Sequence, residues 1–176
     1  KQAINSVDAK HWRFAKEQEV DQLHKAETWT LVKPSEARNI ITGKWIFKIK
    51  RDEKGKIQRW KARWVARVFT QKYGIDYEET FAPTLRHSSV RLIIALANQF
   101  NLSLHGLDVS NAFARAKMTE DLYVEQPKGH EQYDAEGEKL VCKLERALYG
   151  TKQAARLWNL KFRDFLLQEG WRQYES

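Results

Sequence analysis

The chain is predicted to have an α+β fold in which β-hairpins pack with helices. Three features carry that expectation. Residues between Gly43 and Val68 alternate apolar with cationic, segments near both ends repeat with helical periodicity, and short apolar runs are separated by turn residues. Seven Trp, eight Phe and six Tyr among 176 residues are enough apolar area for one domain, or two small lobes, with a real core.

Taken in order, residues 8–28 read as an amphipathic helix with Trp12, Ala15, Leu23 and Ala26 near one stripe. A loop containing Pro34 follows. In 44–50, Trp45, Phe47 and Ile49 share one strand face, and Lys44, Lys48 and Lys50 share the other. Asp52-Glu53-Lys54-Gly55 has turn chemistry. In the second strand Trp60, Ala62, Trp64, Ala66 and Val68 fall on one face and Arg59, Lys61, Arg63 and Arg67 on the other. The product is a hairpin over 43–68 with an aromatic underside and a cationic upper face. Residues 72–86 form a connecting loop. Ser88 or Ser89 caps a helix reaching about Phe100, with Val90, Ile93, Ile94 and Ala97 as its apolar stripe. Residues 102–109 read as a buried strand, 122–125 as a short strand closed by Pro127 and Gly129, and 139–144 as another strand. A last helix over 152–168 buries Ala154, Trp158, Phe162 and Phe165 and ends at Gly170.

Charge is the most informative feature for function. From Lys44 to Arg67 there are ten Lys or Arg against Asp52 and Glu53, an excess of +8, which equals the net charge of the chain. A solvated edge strand usually mixes its signs. This stretch does not, so it reads as a polyanion site for a nucleic-acid backbone, a nucleotide triphosphate, or both. Other classes recede. The longest fully apolar run, 92–97, is too short to span a bilayer, and no signal-peptide pattern is present. The single Cys142 excludes an internal disulfide and fits a reducing compartment. The histidines lack zinc spacing. The start at Lys1 rather than Met predicts a piece of a longer protein.

Asp108 closes the apolar run Leu104-His105-Gly106-Leu107-Asp108-Val109. A buried or half-buried carboxylate there needs a partner: a helix N-terminus near Ser110, a cation or a metal. Phosphoryl transfer uses divalent cations held by oxygen ligands, and Phe113 is placed either to wall a sugar pocket or to fill the core. In Leu148-Tyr149-Gly150-Thr151-Lys152-Gln153, Gly150 permits close approach to the backbone, and Lys152, Gln153 and Arg156 offer donors at a helix start.

The order of these segments resembles the reverse-transcriptase domain of copia-type retrotransposon Pol polyproteins. The resemblance is carried by Glu27-Thr28-Trp29-Thr30-Leu31-Val32, Gly43-Lys44-Trp45-Ile46-Phe47-Lys48-Ile49-Lys50 and Lys61-Ala62-Arg63-Trp64-Val65-Ala66-Arg67. It continues through Phe69-Thr70-Gln71, Gly74-Ile75-Asp76-Tyr77, Glu79-Thr80-Phe81-Ala82-Pro83 and Leu107-Asp108-Val109. Tyr123-Val124-Glu125-Gln126-Pro127-Lys128-Gly129 and the segment from Val141 to Trp158 complete it.

The resemblance implies a right-hand polymerase, with residues 1–101 as a fingers-like region and 102–176 as a partial palm. It implies RNA-directed DNA synthesis, with Asp108 as a catalytic aspartate and ligand for Mg²⁺ or Mn²⁺. Lys61, Arg63, Arg67, Phe113, Lys152 and Gln153 would meet the incoming dNTP, with Phe113 selecting deoxyribose. Lys48, Lys50, Arg59 and Gly150 would meet an RNA or DNA template-primer. The family's paired aspartates have no counterpart up to Ser176. Two metal ions need several carboxylates, so this chain alone is expected to be inactive and to need the rest of the palm and neighbouring polyprotein modules as partners. A cytoplasmic setting, with no membrane, is expected on the same ground. Val68, Ala114-Arg115-Ala116 and Ala155 stand where the family has Gly, Leu-Asn-Gly and Pro. The alternative left open is an inactive retrotransposon remnant that binds nucleic acid without base preference or metal.

Overall fold

The structure, a computed structural model, describes residues 6–173. Lys1 and Ser176, the outer bounds of the two expected regions, lie outside the described residues. In chain order the elements are α1 (Ala9–Lys25), β1 (Trp29–Val32), β2 (Ile40–Ile41), β3 (Gly43–Arg51), β4 (Ile57–Ala66), α2 (His87–Gln99), β5 (Tyr123–Val124), β6 (Val141–Leu144) and α3 (Ala154–Gln168). Short 3₁₀ turns lie at Pro34–Glu36, Val68–Thr70 and Phe113–Arg115. The class is α+β, with three helices and two open sheets.

β3 and β4 form the expected antiparallel hairpin, in register Trp45↔Trp64, Phe47↔Ala62 and Ile49↔Trp60 on one face. Asp52 Oδ1 accepts the N–H groups of Lys54 and Lys56 at 3.0 and 2.9 Å, and Gly55 takes φ +79° to close the turn. α1 lies on the aromatic underside, and Trp12 meets the rings of Phe47 and Trp60 at 5.0 and 4.5 Å. A Cβ on Gly43 would sit 2.0 Å from the Trp64 ring, so only glycine lets that buried indole lie across β3.

The second sheet has strand order β1-β6-β5-β2. β1 runs antiparallel to β6 and β2 parallel to β5. Strand β1, expected as loop, takes its shape from pairing with a strand more than a hundred residues away, which local sequence does not display. Leu23, Ile41, Trp64, Leu122, Val124, Leu144 and Leu148 form one core joining α1, the hairpin and this sheet.

Cys142 sits in that sheet, 1% exposed, and burial pushes its thiol up to about 12. The folded chain therefore holds this proton after the unfolded chain has lost it. The stability linked to it is complete below the ordinary thiol pKa of about 8.5 and is lost as pH rises towards about 12. Cys142→Ala is expected to shallow that alkaline loss in denaturant titrations, and the native thiol should resist a disulfide reagent until the chain unfolds.

Several expectations are corrected. β4 stops at Ala66, and Val68 stands exposed in a 3₁₀ turn rather than on the strand face. α2 starts at His87, with Arg86 at its N-cap position and no side-chain cap from Ser88 or Ser89. Of its stripe only Ala97 is buried; Ile93 and Ile94 are about half exposed because no described element packs over them. Residues 102–109 form no strand and are exposed, Leu107 at 96%. Among the described residues no strand pairs with this segment, and an unpaired backbone in water has no reason to extend into a ladder. In α3, Ala154 is buried and Trp158 half-buried, whereas Phe162 and Phe165 are exposed. Ala114 and Ala116 are both buried, and Ala116 packs in a cluster with Ala147, Ala154 and Leu157.

Candidate functional site

The outward faces of β3 and β4 place like charges directly opposite one another: Lys48↔Lys61 and Lys50↔Arg59, with Ile46↔Arg63 beyond them. Opposed like charges on a sheet destabilise it. Burial, then Arg63 and Arg59, lower the pKa of Lys61. A surface that costs free energy by itself is relieved when an anion arrives.

Facing those cations is the segment 108–113. Together they enclose a cleft of about 790 Å³ lined on one side by Lys50, Arg59, Lys61 and Arg63 and on the other by Asp108 and Phe113. The cleft thus unites six residues singled out from the sequence. Asp108 is exposed and makes no hydrogen bond or ion pair among the described residues, so it neither caps a helix nor lies buried. Phe113 both packs on the Ala116–Leu157 cluster and faces the cleft, which merges the two roles open to it.

Tyr149, unmarked by the sequence, completes the cleft. The Arg63 guanidinium lies 4.9 Å from its ring centroid and the Phe113 ring 5.1 Å away, edge-on. Burial first of all raises the pKa of its phenol, with Glu19 and Asp108 adding to the rise and Arg63 opposing it, so its hydroxyl stays a donor. Its place beside Gly150 was the only available signal.

The other candidates lie elsewhere. Lys48 shares the cationic face but does not line the cleft, and neither does Arg67, whose N–H donates to the Thr42 carbonyl at 2.8 Å. The open side of Gly150, at φ +88°, is occupied by the Ala66 carbonyl, and Ala66 N–H donates to the Tyr149 carbonyl at 2.9 Å. Gln153 is 1% exposed and its amide is engaged at both ends. Its oxygen accepts from Gln71 Nε2 at 3.0 Å, and its nitrogen donates to the Asp76 carbonyl at 2.9 Å. Lys152 reaches the Tyr77 hydroxyl at 2.5 Å, and its backbone N–H donates to Gln71 Oε1 at 2.8 Å. Buried Asp76 accepts from Asn39 Nδ2 at 2.6 Å and Lys72 N–H at 2.7 Å. These residues form a polar clamp between the 71–77 loop and the start of α3.

A free, exposed carboxylate such as Asp108 is chemically suited to be one ligand of a hard divalent cation. Among the described residues no group of three His, Cys, Asp or Glu gathers as a metal site, so Asp108 does not complete one with its neighbours. No helix among the described residues is long and apolar enough to cross a membrane.

Residues 26–176 match the family described as reverse transcriptase (RNA-dependent DNA polymerase). The chain is 38% identical over 169 residues to the retrovirus-related Pol polyprotein from transposon RE1 of Arabidopsis thaliana, covering 96% of this chain and 11% of that protein. It is 38% identical over 167 residues to the one from transposon TNT 1-94 of Nicotiana tabacum, covering 94% and 12%. The chain therefore spans only about an eighth or less of the length of these curated relatives. No solved structure matches it.

Proposed function

The chain belongs to the reverse transcriptase (RNA-dependent DNA polymerase) family, and from that premise we propose that it supplies the fingers (1–101) and first part of the palm (102–176) of a retrotransposon polymerase. Its cleft takes the triphosphate of an incoming dNTP and, beside it, the backbone of an RNA or DNA template-primer. One observation supports this above the others: Lys50, Arg59, Lys61 and Arg63 share a cleft with Asp108 and Phe113, which come from a distant part of the chain.

Each residue has a role that its chemistry permits. Lys61 and Arg63 bind and orient the triphosphate, as point charge and planar fork respectively. Lys50 and Arg59, nearer the hairpin tip, hold the nucleic-acid backbone together with Lys48. Phe113 and Tyr149 form an aromatic wall against the sugar. Asp108 is the first carboxylate for Mg²⁺ or Mn²⁺, which when bound neutralises triphosphate charge. Lys152 and Gln153 act from behind by holding the Tyr149–Gly150 turn, while Arg67 secures the end of the hairpin. The proposed partners are the remainder of the palm and neighbouring polyprotein modules, in a cytoplasmic particle.

The test is primer extension with Mg²⁺ by this chain supplied with the remaining palm segment. Extension is expected, and Asp108→Asn should lower it by about a thousandfold or more, as expected when one charged group is lost at a reacting phosphate. Equal extension by the Asn variant would overturn the role of Asp108. No extension by either, with nucleic-acid binding retained, is the outcome expected of an inactive remnant.

A further inference from the structure

Helix α1 lies wholly before the family match, which starts at residue 26. It nevertheless touches both walls of the cleft. Gln22 lines the cleft and its Oε1 accepts from Asn111 Nδ2 at 3.0 Å, on the Asp108 side. One turn earlier, Glu19 lies 6% exposed with its carboxylate accepting the Trp64 N–H at 3.3 Å, on the hairpin side. Glu19, Arg59 and Lys61 also border the narrow gap between α1 and β4. A buried acid beside a face of four cations is a group that the proposed reaction does not use.

We propose that Glu19 is the resident counter-anion of the cationic cleft, offsetting Lys61 and Arg63 until a substrate polyanion takes over that task. This rests on the proposed polyanion role of the cleft and adds to it a residue that sets its affinity. The carboxylate satisfies the outward N–H of edge strand β4 and so fixes Trp64, while its charge acts on the neighbouring cations. An arriving phosphate meets a cleft already partly neutralised, and binding is weaker than the cations alone would make it. Burial raises the pKa of Glu19, against the Trp64 N–H, Lys61 and Arg63. The other groups facing it are Arg59 from β4 and Tyr149 from the turn before α3. As pH falls through the raised value Glu19 loses its charge, and affinity rises.

The test uses the full chain and an oligo-dT probe, whose phosphodiesters and bases keep their charge between about pH 5 and 8. Glu19→Gln retains an oxygen for the Trp64 N–H and removes the charge. It is expected to bind the probe about threefold to tenfold more tightly at neutral pH. It should also lack most of the rise in affinity that the wild type displays on acidification. Thermal unfolding of the variant verifies that the fold is retained. Wild-type binding with a flat acid profile overturns the proposal without needing any variant. So does unchanged affinity and pH dependence in Glu19→Gln, while the polyanion cleft itself survives both results. Absence of wild-type binding at low salt overturns the cleft's role, and this proposal with it.

Discussion

Exchanging Lys61 and Arg63 together for Glu is expected to weaken binding of single-stranded nucleic acid by on the order of a hundredfold near 0.1 M salt. Both side chains line the cleft opposite Asp108, and both stand among cations that have no acid opposite them across the hairpin. Reversal takes away two cations that would neutralise phosphates and puts repulsive charges in their place. The slope of log affinity against log salt should fall by about 0.7 for each phosphate of a single strand that is no longer neutralised. Anisotropy titrations over a salt series measure both quantities. Lys48→Glu is the internal comparison, because Lys48 shares the face but lies outside the cleft. It should lower affinity less than either cleft residue. Unchanged affinity in the double reversal would remove the cleft from the account of binding altogether.

Gly150→Ala is expected to destabilise the fold by about 2–5 kcal/mol, a large share of the 5–15 kcal/mol typical of a domain. Two costs combine. Gly150 sits at φ +88°, where an L side chain costs about 1–2 kcal/mol. A Cβ there would also stand 2.3 Å from the Ala66 carbonyl oxygen, a backbone atom with little room to retreat, and overpacking of this kind costs about 1–3 kcal/mol. The same close approach holds β4 against the turn before α3, through the Ala66 N–H to Tyr149 carbonyl bond. The substitution should therefore also move Tyr149 away from Arg63 and reduce polyanion affinity. Denaturant unfolding and the oligo-dT titration read the two effects separately. Wild-type stability in the alanine variant would mean that the turn does not press on the hairpin as described.

Lys61, Arg63 and Gly150 mark where the sequence was informative and where it was not. The hairpin was legible because a strand's period of two and a turn's φ requirements are local properties, written in Trp45, Phe47 and Ile49 and in Asp52 and Gly55. Lys61 and Arg63 were legible for the same reason. Asp108 could be picked out, but its surroundings could not. The segment 102–109 has a strand's composition, yet it lies exposed without a partner strand. The apolar stripe of α2 predicted a helix correctly and its burial wrongly, since periodicity reports which residues share a face and not what covers it.

The sequence by itself determined the α+β class, the hairpin and its charge, and, through the ordered motifs, a family that the comparisons bear out. The tertiary structure alone decided which of the marked residues meet. It brought Asp108 and Phe113 under Lys50, Arg59, Lys61 and Arg63, added Tyr149 and Gln22, and set Gln153 into a buried clamp with Gln71 and Asp76. The physical reason is range: periodicity, turn conformation and charge act over a few residues. A cleft instead depends on distant segments meeting, and their geometry comes from packing the whole core.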